Sequence, residues 1–218
     1  MTRTPRRNTL VFDLDGTLVD SAPDIAAAVN ALFAELKLPA VELALVRRMI
    51  GDGAPVLLER ALQHVGAPYK AAELMPRYSV HYSDNAVNLS KLYPDVAETL
   101  AQFRAAGCKL GVCTNKPIGP TRAVLAAFGL EPMIEAVIGG DSLPQRKPDP
   151  EPLLTVIHAL GGTTESAVLI GDSAVDIATA DNAGVPAIII PSGYGMSPPQ
   201  AKVTAVGFAQ LMSVIEQL

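Results

Sequence analysis

The chain of 218 residues has only two cysteines, no tryptophan and no long apolar run, and these shortages exclude several classes of protein. Two cysteines are too few for a disulfide scaffold. Cys108 and Cys113 lie five positions apart in one predicted strand, so their side chains face opposite sides, about 16 Å apart, and cannot bridge. We therefore expect two free, packed cysteines in a reducing cytoplasm. No window approaches 18 consecutive apolar residues, so no segment is predicted to span a membrane.

Positive charge is also scarce, with 17 Lys and Arg against 22 Asp and Glu and a net charge of −5. This balance argues against a nucleic-acid partner, and an anionic ligand would have to be attracted by local cations. The apolar stretch that follows the basic residues 1–7 stops at Asp13, so we expect no signal peptide. The composition is that of a globular protein of one large domain or two small ones, which we expect to be a monomer or a homodimer.

Two aspartates, Asp13 and Asp15, follow directly after the apolar run Leu10–Phe12. The run predicts a buried strand of a parallel sheet. Residues two apart on a strand share a face, so both carboxylates leave the carboxyl end of the strand together, about 7 Å apart. Ligands of open α/β sheets bind at this end.

Carboxylates that lie so close together need a cation or a shared proton, and Mg²⁺, which prefers oxygen ligands, fits best. One aspartate can then attack phosphorus while the other moves protons. The alternative is a turn that carries two solvated acids. A calcium loop is excluded because the further acidic residues of that motif do not follow.

The order of apolar patterns predicts an α/β fold with an insertion. Residues 23–88 follow helical spacing, with helices expected over residues 25–36, 57–65 and 74–82. From Lys91 onward strands alternate with helices, which predicts a doubly wound parallel sheet with a Rossmann-like core. Later strands are expected at residues 109–114, 134–138, 167–170 and 187–190, and later helices at residues 121–128, 151–160, 176–183 and 208–216.

The first strand precedes the helical part, so the helical part is expected to be an inserted cap. We predict a catalytic core domain of residues 1–20 and 93–218 and a helical cap domain of residues 21–92. Two linkers, near Asp20–Pro23 and Leu92–Pro94, would form a hinge between them.

Three further polar groups lie at the ends of predicted core strands. Thr114 and Asn115 can donate to a phosphoryl oxygen, although such a pair is more often a turn or a helix cap. Lys147, held extended by the proline after it, can neutralise phosphate, although an isolated surface lysine is the simpler interpretation. Asp172 is placed to complete a Mg²⁺ site. Asp176 could be the N-cap of its helix, a residue that supports the metal ligands, or both.

The stretch Asp13-Leu14-Asp15-Gly16-Thr17-Leu18-Val19-Asp20-Ser21 resembles the first motif of the haloacid dehalogenase superfamily of phosphohydrolases. With the three later groups, the resemblance covers nearly the whole chain. It implies a haloacid dehalogenase-type core in which Asp13 is the nucleophile that forms an aspartyl-phosphate. It also implies that Asp15 is the general acid and base, and the presence of Asp15 argues against the dehalogenase branch.

The same resemblance implies the residues that hold phosphate and metal. The phosphoryl group would be bound by Thr114, Asn115 and Lys147. The cofactor would be Mg²⁺, held by Asp13, the backbone carbonyl of Asp15 and Asp172, with Asp176 close behind them.

The cap loop within Ile50–Leu62 resembles that of the phosphoglycolate phosphatases, as do Thr114–Pro117 and Gly139–Pro150. The likeness implies 2-phosphoglycolate as the substrate, a small phosphate monoester. Substrate choice would depend on Gly51, Asp52, Gly53 and Arg60. The substrate carboxylate needs a cation, for which the candidates are Arg47, Arg48, Arg60 and Lys116.

Other functions remain open at this stage. The chain departs from the family pattern at Ala174 and Val175, and Pro191–Ser197 resembles it only loosely. A broad-specificity phosphatase of small sugar phosphates and a β-phosphoglucomutase-like phosphotransferase are alternatives on the same scaffold. An anion-binding regulator is the alternative that is not an enzyme.

Overall fold

The centre of the protein is a parallel β-sheet. The structure, a computed structural model, describes residues 5–83, 87–191, 194 and 207–218. Its strands are β1 (Thr9–Phe12), β2 (Val19–Asp20), β3 (Lys91–Leu92), β4 (Lys109–Cys113), β5 (Ala136–Ile138), β6 (Ala167–Gly171) and β7 (Ala187–Ile189). Five of them form one sheet in the order β5-β4-β1-β6-β7, with every neighbouring pair parallel. The predicted doubly wound sheet is therefore confirmed, with β1 at its centre.

The described ranges contain nine α-helices. They are α1 (Ala22–Glu35), α2 (Leu43–Met49), α3 (Ala54–His64), α4 (Ala71–Ser83), α5 (Val96–Ala105), α6 (Ile118–Ala127), α7 (Glu151–Ala159), α8 (Ala174–Ala183) and α9 (Leu211–Ile215). Apolar residues of α5, α6 and α9 pack on one face of the sheet, and those of α7 and α8 pack on the other. Within the described ranges, no helix combines the length and apolar character that crossing a membrane requires.

Strand β1 is buried on both faces, as its continuous apolar sequence predicts. Leu10 and Phe12 belong to one apolar cluster and Val11 to the cluster on the opposite face. The two cysteines are free and divide in the same way, with Cys108 on the first face and Cys113 on the second. Burial raises the pKa of Cys113 to about 12, so its thiol stays protonated. Both cysteines are packing residues, as predicted.

Helices α1–α4, which lie in sequence between β2 and β3, enclose an apolar cluster of their own. Its fully buried members include Val29, Leu32, Phe33, Val46 and Leu58. This cluster supports the proposed cap. The proposed boundaries, with residues 21–92 as cap and residues 1–20 and 93–218 as core, follow the same division.

The two predicted linkers pair with each other. Strands β2 and β3 form an antiparallel ribbon in which Val19 lies opposite Leu92. Beside the ribbon, the Asp24 carboxylate in the first turn of α1 accepts hydrogen bonds from the backbone N–H groups of Leu89 and Ser90. The chain thus enters and leaves the cap through one hydrogen-bonded crossing.

The structure also departs from the sequence predictions in the existence of two helices and in the N-cap residue of a third helix. Helices α2 and α5 were not predicted. The N-cap of α8 is Ser173, and Asp176 occupies the third helical position, where the two residues form a capping box. Asp176 as the N-cap was therefore wrong, because the serine hydroxyl accepts the helix N–H and the Asp176 carboxylate bonds back to the backbone of the cap.

Candidate active site

The predicted site residues Asp13, Thr114 and Asp172 follow strands β1, β4 and β6, which are neighbours in the sheet. Parallel pairing continues beyond the strands, since the Asp13 N–H donates to Ile170 O at 2.9 Å and the Thr114 N–H to Ile138 O at 3.0 Å. The three side chains are therefore brought to one edge of the sheet by β-register, and all three residues are buried.

An ammonium group lies between two carboxylates at this edge. Lys147 Nζ is 3.0 Å from Asp13 Oδ1 and 2.7 Å from Asp176 Oδ1, and both partners are almost fully buried. Burial raises the pKa of Asp13 to about 6, while Lys147 opposes the rise and the nearby carboxylates add to it. Burial disfavours the Lys147 ammonium, but the charges of Asp13 and Asp176 outweigh burial and raise its pKa above the usual value.

Three buried carboxylates, from Asp13, Asp172 and Asp176, place one oxygen each within 4.8 Å of one another. Within the described part of the chain, Asp13 Oδ1 accepts no hydrogen bond, although the Lys147 ammonium lies beside it. Three carboxylates with one ammonium leave excess negative charge in a buried place, which calls for a further cation, and an all-oxygen donor set suits Mg²⁺. The residues present thus fit the metal that the sequence predicts. Of the predicted ligands, Asp15 lies outside the carboxylate cluster, so it would take part only through its backbone carbonyl.

Gly16 allows the carboxylate of Asp172 to approach the turn after β1. Its φ of +88° lies in the region that favours glycine. A Cβ at this position would lie 2.5 Å from Asp172 Oδ2 and 2.8 Å from a ring atom of Tyr194. The Thr17 hydroxyl donates to Asp172 Oδ1 at 3.2 Å from the same turn.

The Asp15 carboxylate points to a different set of partners. Its Oδ1 accepts a hydrogen bond from the Ser21 hydroxyl at 2.5 Å. Lys116 Nζ donates to both carboxylate oxygens at 3.0 Å. Two charge-assisted bonds fix the orientation of this group. This contact was not predicted from the sequence, where Lys116 was expected only as a partner of the substrate. The position of Lys116, two residues after Thr114, was the available signal.

The Asn115 side chain serves the protein itself. Its amide nitrogen donates to Gly51 O of the cap and to Lys147 O, both at 3.0 Å. Its amide oxygen accepts the Lys147 N–H at 3.0 Å. Asn115 therefore positions Lys147 and holds the cap loop, and the bonds of its amide group are directed to the protein, so its phosphate contact stays a prediction.

A cleft between cap and core opens onto Asp13 and Asp15. Its empty volume is about 710 Å³, counted to its open mouth. The cap side contributes mainly apolar and aromatic side chains, namely Ile25, Ile50, Leu57, Met75, Tyr78 and Tyr82. Of the residues predicted to govern substrate choice, Gly51 and Gly53 line the cleft. Asp52 and Arg60 form an ion pair at 2.7 Å and are not part of its lining.

Comparisons with known proteins find relatives over nearly the whole chain. The family model described as haloacid dehalogenase-like hydrolase matches residues 10–190. A phosphoglycolate phosphatase from Cereibacter sphaeroides is 46% identical over 192 residues, which cover 87% of each chain. Another from Haemophilus influenzae is 38% identical over 215 residues, which cover 94% of this chain and 96% of the relative.

A solved structure has the same fold. It is described as a predicted phosphoglycolate phosphatase from Haemophilus somnus and matches with a TM-score of 0.90 at 33% identity. The match covers 96% of this chain and 98% of the other.

Proposed function

This chain belongs to the haloacid dehalogenase-like hydrolases and is a phosphatase, and from that premise we propose that it hydrolyses 2-phosphoglycolate to glycolate and phosphate. The observation that carries the proposal is the arrangement at the end of β1. There the buried Asp13 carboxylate faces Lys147 at the floor of a cleft, and Asp15 lines the same cleft. Relatives with the name phosphoglycolate phosphatase, at 38% and 46% identity, support the choice of substrate.

In the proposed reaction, a carboxylate oxygen of Asp13 attacks phosphorus and the bond to the bridging oxygen breaks. Asp15 gives its proton to the departing alkoxide, so glycolate leaves and an aspartyl-phosphate remains on Asp13. Asp15 then takes a proton from water, which attacks phosphorus and releases phosphate from Asp13. Lys147 and the donors around Thr114 stabilise the charge that spreads over the phosphoryl oxygens.

We propose Mg²⁺ as the cofactor, bound by Asp13, Asp172 and the backbone carbonyl of Asp15. Asp176 would support this site through its bonds to Lys147 and to the backbone N–H of Asp172 and Ser173. A bound Mg²⁺ would supply positive charge beside the phosphoryl oxygens. A cytoplasmic location is also proposed, supported by the two free cysteines.

The test is phosphate release in the presence of Mg²⁺ from a panel of 2-phosphoglycolate, glycerol phosphates, hexose phosphates, nucleotides and pyrophosphate. We expect kcat/KM for 2-phosphoglycolate to exceed the others by more than tenfold, which corresponds to about 1.4 kcal/mol in the transition state. The Asp13→Asn protein is the blank, and a chelator should abolish release. Equal values across the panel would exclude 2-phosphoglycolate as the preferred substrate.

A broad-specificity phosphatase of small sugar phosphates is the second candidate. The apolar lining of the cleft favours it, because apolar and aromatic side chains offer few partners to the carboxylate of glycolate and suit the carbon skeleton of a larger leaving group. The same panel separates the two candidates, since hexose phosphates would then match or exceed 2-phosphoglycolate.

A further inference from the structure

Four cationic side chains were candidates for binding the carboxylate of the substrate, and the structure separates them. Arg60 is paired with Asp52 in the cap, and Arg47 is paired with Asp20 at the crossing between core and cap. Arg48 is exposed. Among the residues that the structure describes, Lys116 is the only cationic side chain that lines the cleft. Its side chain is only 5% exposed, so its charge acts in a poorly hydrated place, where an ion pair is stronger than in water.

A second observation points to a ligand beside Lys116. The ring of Tyr82, from α4 of the cap, lies with its centre 4.6 Å from Lys116 Nζ. Tyr82 is 5% exposed and lines the cleft, and within the described ranges its hydroxyl meets no group at full hydrogen-bond geometry, although the Lys116 ammonium lies close enough to interact with it. A buried hydroxyl without a full hydrogen bond costs stability, and an incoming anionic oxygen would satisfy it.

We propose that Lys116 Nζ and the Tyr82 hydroxyl bind the carboxylate of the leaving group. This inference rests on the proposed function. Lys116 is 3.0 Å from Asp15, the group assigned to protonate the bridging oxygen. In 2-phosphoglycolate the carboxylate lies one methylene group beyond that oxygen. A substrate whose bridging oxygen contacts Asp15 would therefore place its carboxylate beside Lys116. Lys116 comes from the core and Tyr82 from the cap, so the carboxylate would be bound by both.

The proposal defines a substrate class: phosphate monoesters with a carboxylate one carbon from the ester oxygen. An analogue of similar size whose leaving group is uncharged, 2-hydroxyethyl phosphate, leaves the ammonium of Lys116 and the hydroxyl of Tyr82 without an anionic ligand. Sites with buried polar groups reject analogues that leave those groups unpaired. We expect the unmodified enzyme to prefer 2-phosphoglycolate over 2-hydroxyethyl phosphate by at least about 100-fold in kcat/KM.

The test compares both substrates in Lys116→Met and Tyr82→Phe, with Arg48→Met as the control for loss of a cap cation outside the cleft. Lys116→Met also disturbs Asp15, so the informative quantity is the ratio of the two kcat/KM values. We expect this ratio to fall by at least about tenfold in Lys116→Met and by about threefold or more in Tyr82→Phe, and to stay constant in Arg48→Met. An equal loss on both substrates would overturn the proposal and leave Lys116 as a residue that only orients Asp15.

A binding measurement separates failure of this inference from failure of the proposed function. Titration calorimetry with glycolate, in the presence of Mg²⁺ and phosphate, needs no turnover. Glycolate should bind the unmodified enzyme and the Arg48→Met protein equally, and at least about tenfold more weakly to Lys116→Met. Glycolate binding that is unaffected by Lys116→Met overturns the inference, even where the substrate panel supports 2-phosphoglycolate. Glycolate binding that weakens in Lys116→Met supports the inference, even where the substrate panel shows that another carboxylate-containing phosphate is preferred.

Discussion

At the scale of single residues, the proposed nucleophile is also a group whose charge the fold opposes. Asp13 is 6% exposed, and burial is the main reason that its pKa rises to about 6. An acid with a raised pKa in the folded protein stabilises the fold only while it is protonated. Its negative charge therefore lowers the free energy of unfolding at neutral pH, and a bound cation would remove this cost.

Asp13→Asn should accordingly stabilise the protein when metal is removed by a chelator. The difference in unfolding free energy should be near zero at pH 4, grow as pH rises to about 6, and then stay constant, because ionisation in the folded state is complete above that pH. A rise from 3.8 to about 6 corresponds to at most about 3 kcal/mol.

Urea denaturation at several pH values measures this difference, and the same series with Mg²⁺ is the control. The metal should stabilise the unmodified protein more than it stabilises the Asp13→Asn protein, because the variant lacks one ionised ligand. In chelator, the unfolding free energy of Asp13→Asn minus that of the unmodified protein should be larger at pH 8 than at pH 4. A smaller difference at pH 8 would contradict the account.

The sequence predicted that Asp13, Asp172 and Lys147 would lie in one site. It did not predict the contact of Lys116 with Asp15. Asp13 and Asp172 come together because parallel strands end at one edge, a rule that a strand pattern reveals. Lys147 lies in the loop beyond β5 and is held there by the side chain of Asn115. The bond between Lys116 and Asp15 joins residues 101 positions apart. Its existence depends on how the loop after β4 folds across the turn after β1, and no local pattern reports that.

At the scale of elements, the loop before α3 is where the cap rests on the core. Gly53 is the N-cap of α3, with a φ of 88°. A Cβ there would lie 3.2 Å from the backbone oxygen of Asn115. Together with the bond from Asn115 to Gly51 O, this contact holds the cap loop against the loop that follows β4.

Gly53→Ala should push the cap loop away from Asn115 and raise KM by about fivefold or more, equivalent to about 1 kcal/mol of lost binding. Gly66→Ala is a matched control, since Gly66 also has a positive φ in the cap but nothing within 4 Å of its Cβ position. Both changes should cost stability through backbone strain, about 1–2 kcal/mol for Gly66→Ala and about 1–3 kcal/mol for Gly53→Ala, because the φ of 88° and ψ of 164° at Gly53 lie in a region that is essentially restricted to glycine. Thermal unfolding and steady-state kinetics of the two variants measure these effects. An equal rise of KM in Gly53→Ala and Gly66→Ala would contradict the account.

Tyr194 connects the core to the crossing between core and cap. Its hydroxyl donates to Asp20 Oδ1 at 2.7 Å and accepts the N–H of Ala22, the first residue of α1. The Arg47 guanidinium lies 5.8 Å from its ring centre. Burial and the Asp20 carboxylate raise the pKa of Tyr194, so the phenol remains a donor. Residues 192–193 and 195–197 belong to the stretch Pro191–Ser197, which resembles the family pattern only loosely. They lie outside the described ranges.

Tyr194→Phe should remove both bonds and leave a buried N–H unpaired, which costs about 1–3 kcal/mol. We expect a lower melting temperature and a severalfold lower kcat/KM, because α1 and the ribbon orient the cap. Tyr69→Phe, at a cap tyrosine that is 39% exposed, is the control and should change neither quantity. Equal behaviour of the two variants would show that the hydroxyl of Tyr194 has no such role.

Helix prediction succeeded where several turns share an apolar face and failed elsewhere. The long helix α1 has a clear periodic pattern, whereas α2 has only seven residues and too few turns to reveal a period. Helix α5 buries Val96, Leu100 and Phe103, whose spacing fits a helix. Its N-cap, Asp95, has left-handed backbone geometry and makes no side-chain capping bond, so the usual start signal was weaker.

At the scale of the whole molecule, the α/β class and the helical insertion were predictable because each follows from the order of patterns along the chain. The placement of the cap over the core was not, because it depends on contacts between distant residues such as Gly51 and Asn115, 64 positions apart. The cleft between cap and core exists only once both parts have folded. For this reason, the sequence could suggest four cations for the substrate carboxylate, and the structure was needed to separate them.

The central claim, that Asp13 accepts the phosphoryl group of 2-phosphoglycolate, is tested most directly by trapping the phosphoenzyme. A single turnover with ³²P-labelled substrate and Mg²⁺ is quenched in acid, and the protein is digested with trypsin. The account predicts label on the peptide of residues 8–37, lost on treatment with hydroxylamine as expected for an acyl phosphate and absent from the Asp13→Asn protein. Label on another peptide, or turnover by Asp13→Asn at the unmodified rate, would contradict it.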